Sequence, residues 1–311
     1  MSTLHLILPP LPRFDDAADW RRWLARGDRL PDAPPGRSAV LRALFRFPGT
    51  AWPAAALRRR AHAGDAHLGA WLCADPSFVR GEATGARLMV SPLDDLSREE
   101  ADGLARALRT LFGDAGAPLE IDTPSGWCVR VAEGAPLPAF VEPDQALGAD
   151  LLQCLPAGDR GRPWRRLFNE AQVILHAHPV NAARVAAGRL PVNALWFWGA
   201  GRLPGAVQTA LQRAAGSDGV LRGLCACADV PCDSEAAQAI DGGEGEVLAD
   251  FASTDPAIIA DEWLPRCQRA LGQRRFGQVE FAFVSGERFR LRPWHRWRFW
   301  RKPGRGVARR A

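Results

Sequence analysis

Between Phe168 and Pro204 the chain carries its most constraining local signals: F-N-E-A-Q-V-I-L-H-A-H-P-V-N-A-A-R-V-A-A-G-R-L-P-V-N-A-L-W-F-W-G-A-G-R-L-P. Pro163, just upstream, suits a first helical turn, where its missing N–H costs nothing. Trp164, Leu167, Phe168, Ala171, Ile174 and Leu175 then recur at helical spacing and define a buried face. Arg165, Asn169, Gln172 and His176 share a second stripe of the same helix. Pro179 disfavours helical angles at His178, so the helix should stop near Ala177. A second short helix, about Val180 to Ala187, places Asn181 and Arg184 one turn apart, and Gly188 is positioned to cap it. Pro191 to Trp198 reads as a short buried strand, and Gly199-Ala200-Gly201 as a turn at its end. Loops beyond strand ends are where open α/β sheets bind ligands.

The same reading extends along the chain. Leu4 to Leu8 is a short buried strand stopped by Pro9 and Pro10. Helices are expected over Asp15 to Ala25, Ser38 to Phe45 and Trp52 to Ala63. A capping box, Ser97 with Glu100, opens another that runs to about Phe112. Leu119 to Asp122 and Trp127 to Val131 flank T-P-S-G as a hairpin. Val207 to Ala215 is expected to be helical, and Val220 to Val230 a strand. Asp255-Pro256 opens a helix to about Leu271. Gln278 to Val284 and Arg288 to Phe299 form a terminal hairpin around Ser285-Gly286. The fold class is therefore α/β: a mixed sheet with flanking helices and a C-terminal β-hairpin. Residues 133–162 hold Pro136, Pro138, Pro143 and Pro156. They are expected to connect an N-terminal α/β region (1–132) to a C-terminal one (163–300), with a basic disordered tail at 301–311, although one domain throughout is equally compatible.

Composition narrows the chemistry. Of 311 residues none is tyrosine, and Lys302 is the only lysine, so ordinary lysine or tyrosine catalysis is excluded outside the tail. Seven cysteines without secretory context read as free thiols. The opening M-S-T-L-H-L-I-L-P-P lacks the pattern of a signal peptide, and no apolar run has transmembrane length, so a cytoplasmic protein without a membrane partner is expected. Net charge is +5, yet Arg288 to Ala311 carries ten Arg or Lys and no acid, which leaves about −5 on the remainder.

Several constellations carry possible chemistry. His176 and His178 could serve a metal or phosphate site, but alternate helical positions diverge, and a local capping role is the simpler reading. Arg184 with Asn181 and Asn193 could hold an anion in its planar fork, or form a structural network with Glu170; both stay open. Gly199-x-Gly201 lacks the third glycine of a dinucleotide loop. Cys225, Cys227 and Cys232 lack a fourth zinc ligand at a recognised spacing, and alternate positions of a strand would place Cys225 and Cys227 together in a core. Asp75, Asp94 and Asp95 end apolar runs as turn residues. The Arg-, Trp- and Phe-rich C-terminus could meet nucleic acid, though an amphipathic edge strand is the favoured reading.

The string H-P-V-N-x-x-R-x-x-x-G-x-x-P-V-N-x-L-W-F-W-G-x-G-x-x-P resembles that of RpfE-type regulatory proteins, as does W-L-C-A-D-P at Trp71 to Pro76. Trp164 to Val230 also resembles a segment of archaeal-type cofactor-independent phosphoglycerate mutases. In those enzymes two metal ions and a phosphorylated serine carry the reaction, the first strand is followed by Asp-Gly, and a late Asp-His pair and further histidines complete the site. Here Leu4 to Leu8 is followed by Pro9-Pro10-Leu11-Pro12, and after His178 the only histidine is His295, preceded by Trp294.

The resemblance thus implies a regulatory, non-catalytic relative with no cofactor, no metal and no catalytic residue. Its ligand site for an anionic metabolite would draw on Asn169, His176, His178, Asn181, Arg184, Asn193 and Trp198. A divergent mutase or phosphatase-like metalloenzyme, with Asp75, His176 and His178 as ligands, is the alternative. Another protein is a second possible partner, and nucleic acid a disfavoured one.

Overall fold

A computed structural model describes residues 2–14, 18–49, 51–83, 85–242 and 244–301. In chain order the elements are β1 (Thr3–Leu8), α1 (Ala18–Ala25), β2 (Asp28–Leu30), α2 (Arg37–Leu44) and β3 (Phe45–Arg46), then α3 (Ala54–His62), β4 (Ala70–Glu82), β5 (Gly85–Val90), α4 (Arg98–Asp114), β6 (Leu119–Thr123) and β7 (Gly126–Val131). These are followed by α5 (Pro143–Ala146), α6 (Leu151–Cys154), α7 (Gly158–His176), α8 (Pro179–Ala186) and β8 (Ala194–Arg202). The last third holds β9 (Gln208–Thr209), β10 (Arg213–Ala215), α9 (Gly219–Cys227), β11 (Cys232–Asp233), α10 (Ala236–Gly242), β12 (Glu246–Asp250), α11 (Pro256–Ile258), α12 (Leu264–Gly272), β13 (Gln278–Phe283) and β14 (Arg288–Leu291). The chain divides into two compact units, 1–47 with 206–311, and 48–205. Residues 133–162 fall inside the second unit.

The first unit is built on a mixed sheet that has, among the described residues, seven strands in the order β11-β10-β12-β1-β13-β14-β2. β1 lies between β12 and β13 and is parallel to both, while β14 and β2 add antiparallel pairs at one edge. Central parallel strands are covered on both faces, so they read as continuous apolar runs, and T-L-H-L-I-L fits that place. Leu4, Leu6 and Leu8 pack with Trp20 and Leu24 of α1, Ile240 of α10 and Leu264, Cys267 and Leu271 of α12. The helix opened by Asp255-Pro256 continues through a π turn at Ile259–Trp263 into α12.

The second unit carries an antiparallel sheet around β4, which pairs with β5, β7 and β8; β6 pairs with β7. Its core joins Leu72, Trp127 and Val129 of the sheet to Leu104, Leu108 and Phe112 of α4 and to Phe168 and Leu175 of α7. The expected hairpin appears as β6 and β7. The capping box is complete: the Glu100 amide donates to Ser97 Oγ and the Ser97 amide to Glu100 Oε2, each at 3.1 Å.

Five local expectations are corrected. Val220 to Val230 is helical rather than a strand: Asp218 caps α9 by accepting from the Leu221 amide at 2.9 Å. Val207 to Ala215 holds β9 and β10 rather than a helix, because sheet pairing with β3, β11 and β12 overrides local propensity. Gly199 and Gly201 lie within β8, where α3 crosses. A Cβ on Gly199 would sit 2.6 Å from Ala54 Cβ and one on Gly201 2.7 Å from Pro53 Cβ, so the glycines serve close packing. Pro163 lies inside α7, which begins at Gly158; Arg165 turns back onto the Pro156 and Gly158 carbonyls there. After β14 the chain enters a 3-10 turn at Pro293–Trp297, so the terminal hairpin is shorter than expected. Of the tail expected to be disordered, residues 302–311 lie outside the described residues. Among the described residues no helix is long and apolar enough to cross a membrane.

Candidate functional site

The residues proposed from sequence as a ligand site all belong to the second unit. Asn169 and His176 lie exposed on α7. His178 caps α8, its Nδ1 accepting from the Val180 amide at 3.2 Å. Pro179 is the first residue of that helix, so the H-P pair marks the break as expected. Asn181 is buried and ties two segments together: Nδ2 donates to the Leu175 and Val192 carbonyls at 2.7 Å, and Oδ1 accepts from the Val192 amide at 2.8 Å. Asn193 exchanges two 2.7 Å bonds with the backbone of Val79.

Arg184 is fully buried. Its Nε donates to the Leu190 carbonyl at 2.8 Å, Nη2 to Asp95 Oδ1 at 2.6 Å and Nη1 to Glu100 Oε2 at 2.8 Å. Arg189 joins the same Glu100 carboxylate. Burial opposes charge on Glu100, but the Ser97 amide and the two guanidinium groups together hold it below the ordinary glutamate range. Glu170, suggested by sequence as the partner of Arg184, pairs instead with Arg166 at 2.7 Å. Trp198 points elsewhere: its Nε1 donates to Asp75 Oδ2 at 2.6 Å, and Arg58 Nη2 meets Asp75 Oδ1 at 2.8 Å. Asp75 is fully buried within β4 rather than in a turn, because the strand runs through Asp75-Pro76.

The structure therefore brings Asn181, Arg184 and their neighbours into one network, with Asn193 bracing the adjoining strand. The donors of that network are engaged by the chain's own carbonyls and carboxylates. The two glutamate and aspartate partners lie 84 and 89 residues away in sequence, which is why spacing did not reveal them.

A second polar site, which sequence reasoning missed, lies in the first unit at the carboxyl edge of the parallel strands. Asp250 ends β12 and its side chain is fully buried. Asp218 follows β10 and caps α9. Arg37, at the start of α2, reaches both carboxylates: Nε stands 2.9 Å from Asp250 Oδ2, Nη2 3.0 Å from Asp250 Oδ1 and Nη1 3.0 Å from Asp218 Oδ2. Burial pushes the Asp250 carboxyl up; Arg37 pulls it down and Asp218 adds to the rise. Ala252 donates its amide to Asp250 Oδ1 at 3.0 Å. The one local signal was S-D-G at Ser217 to Gly219, whose aspartate is a helix cap.

This edge is where an open α/β sheet takes ligands, and where a pair of carboxylates could hold a metal. Arg37 already supplies the cation to both. β1 ends in Leu8-Pro9-Pro10 and adds no carboxylate. The residues present do not fit a two-metal site. Among the described residues no group of three His, Cys, Asp or Glu side chains is arranged to hold a metal. Cys225 stands on α9, not on a strand, and its thiol is hydrogen-bonded to Cys232; that bond and burial push the Cys225 thiol up.

No family model matches the chain. It is similar over a short span to curated phosphoglycerate mutases. A probable 2,3-bisphosphoglycerate-independent phosphoglycerate mutase of Geobacter sulfurreducens is 34% identical over 64 residues, 21% of this chain and 16% of that protein. The 2,3-bisphosphoglycerate-independent enzyme of Methanosarcina mazei is 37% identical over 62 residues, 20% of this chain and again 16% of the relative. The matches thus span about one sixth of the length of these curated relatives. Among solved structures, a cofactor-independent phosphoglycerate mutase from Thermoplasma acidophilum is similar at a TM-score of 0.41 and 16% identity, covering 94% of this chain and 90% of that one. The two curated relatives bear on the mutase part of the sequence resemblance, and neither supports the RpfE part.

Proposed function

We propose that this chain is a non-catalytic relative of the phosphoglycerate mutases with a regulatory role. The observation that supports the non-catalytic part of the reading is the placement of Arg37 against Asp218 and Asp250. A guanidinium on a buried carboxylate removes the negative charge that a divalent cation would need. Without metal, a serine or water near this edge has no Lewis acid to lower its pKa or to hold a transferring phosphoryl group. The departure of the sequence from the mutase pattern after its first strand supports the same reading.

A second reading is favoured by the short matches to mutases: an anionic metabolite bound through His178, Asn181, Arg184 and Asn193. Arg184 would have to exchange Asp95 or Glu100 for the ligand, since each of its nitrogens is already engaged. Asp95 is the exchangeable partner, being half exposed. The test is the melting temperature of the full chain with 3-phosphoglycerate or manganese, because a ligand that binds only the folded state raises it. The regulatory reading expects no manganese shift. A shift with 3-phosphoglycerate that disappears in Asn193→Ala supports the metabolite site. A manganese shift lost in Asp250→Asn returns the chain to the enzymes.

A further inference from the structure

The 3-10 turn Pro293–Trp297 sorts its side chains into three rows, because residues three apart eclipse in that helix. Pro293 and Arg296 form the first row and line a cleft of about 440 Å³ together with Arg22, Trp23, Arg26 and Arg292. No carboxylate lines this cleft among the described residues. The Nε of Arg292 is buried without a hydrogen bond among them. The second row is Trp294 and Trp297, which are 50% and 63% exposed. The third is His295 and Arg298, which turn inward to Asp28; Arg298 Nη1 donates to Asp28 Oδ1 at 2.6 Å and anchors the turn. Phe299 and Trp300 extend the exposed aromatic surface at 76% and 65%.

A soluble surface rarely leaves so many large aromatics in water without a use. Here the indoles of Trp294 and Trp297 also have a guanidinium on them: Arg292 lies 5.3 Å from the Trp294 ring and Arg296 4.9 Å from the Trp297 ring. A row of cations beside a row of aromatic faces is the chemistry of a strand that alternates phosphates with flat bases. Trp294 and Trp297 stand about 6 Å apart along the axis of a 3-10 helix, roughly twice the 3.4 Å rise per nucleotide of one strand.

We propose that this face of the first unit binds single-stranded nucleic acid, with phosphates in the arginine-lined cleft and bases against Trp294 and Trp297. The concave cleft favours a strand over an anionic membrane, whose flat surface would leave it unfilled. The assignment is independent of the reading of Arg37, Asp218 and Asp250.

The test is fluorescence anisotropy of labelled oligothymidylate and oligouridylate, about 15 nucleotides long, with the full chain. Binding should weaken at least about tenfold between about 50 mM and 200 mM salt. Trp294→Ala with Trp297→Ala should weaken it about tenfold or more at fixed salt, at an unchanged melting temperature. Trp294→Phe with Trp297→Phe should restore most of the affinity. Arg296→Gln should lower the salt slope by about one. The proposal is overturned if neither oligonucleotide binds at low salt, or if the alanine pair binds like the unaltered chain. It is equally overturned if inorganic polyphosphate competes as well as the oligonucleotides at equal charge, or if anionic phospholipid vesicles bind in their place.

Discussion

In the second unit each nitrogen of Arg184 meets a carbonyl or carboxylate, and Asn181 and Asn193 spend their amides on backbone. In the first unit Arg37 is ion-paired with Asp218 and Asp250, and Arg292 Nε and His295 Nδ1 are buried with no hydrogen bond among the described residues, beside exposed tryptophans. Buried polar groups are normally paired, and those left over mark places that merit a functional explanation. Arg58 Nε and Asp75 Oδ1 of the second unit are also left over, so what sets the first unit apart is the exposed aromatic face beside such atoms. The H-P-V-N-x-x-R segment holds the chain's own backbone and carboxylates, and the partner proposed for Trp294 and Trp297 meets residues outside it.

The largest effect should come from Arg184→Ala. It leaves Glu100 without its buried partner and opens a cavity. The expected loss is about 3 kcal/mol, the lower end of the range for breaking a buried ion pair, because Asp95 stays half exposed. Urea denaturation would measure it, and a loss below about 1 kcal/mol would remove Arg184 from the scaffold. Arg37→Met should cost about 2 kcal/mol at neutral pH, from the unpaired charge it leaves on Asp250. With Arg37 gone the Asp250 carboxyl should rise further, so the variant should recover stability as pH falls. That recovery is absent if Asp250 is solvated. Ser97→Ala removes one half of the capping box and should cost about 1 kcal/mol.

The pH response sharpens the same contrast. Burial, with Arg298 next to it, lowers the His295 pKa, and a hydrogen bond from Arg298 lowers that of Asp28. Groups with depressed folded pKa values contribute stability above their unfolded values and lose it as pH falls through the folded ones. Stability should therefore begin to fall below the ordinary histidine value of 6.5 and fall again below the ordinary aspartate value of 3.8. His295→Gln should abolish the first step alone, as read from urea midpoints between about pH 7 and 5. The smallest effect on stability belongs to Trp294→Ala with Trp297→Ala, within about 0.5 kcal/mol, since both side chains are exposed.

Local chemistry made much of the fold legible. The capping box placed α4, Pro179 placed the break between α7 and α8, and T-P-S-G placed the β6–β7 turn. Short apolar runs were misread, because nine residues such as V-L-R-G-L-C-A-C-A suit a buried helix or strand alike. There the Asp218 cap was the better guide. Arg37 meets Asp218 and Asp250 across 181 and 213 positions, a separation no spacing rule spans. Asp28 and the 293–297 turn meet across a similar distance, so the C-terminal arginines and tryptophans looked like an edge strand until the three rows of the turn separated them.

The central claim is that a built-in cation has replaced metal at the carboxyl edge of the first sheet. Its most direct measurement is interconversion of 3-phosphoglycerate and 2-phosphoglycerate by the pure full chain, with manganese or magnesium added, beside Asp250→Asn. The account predicts no turnover above the protein-free rate in either chain. Metal-dependent turnover by the unaltered chain that Asp250→Asn abolishes would contradict it.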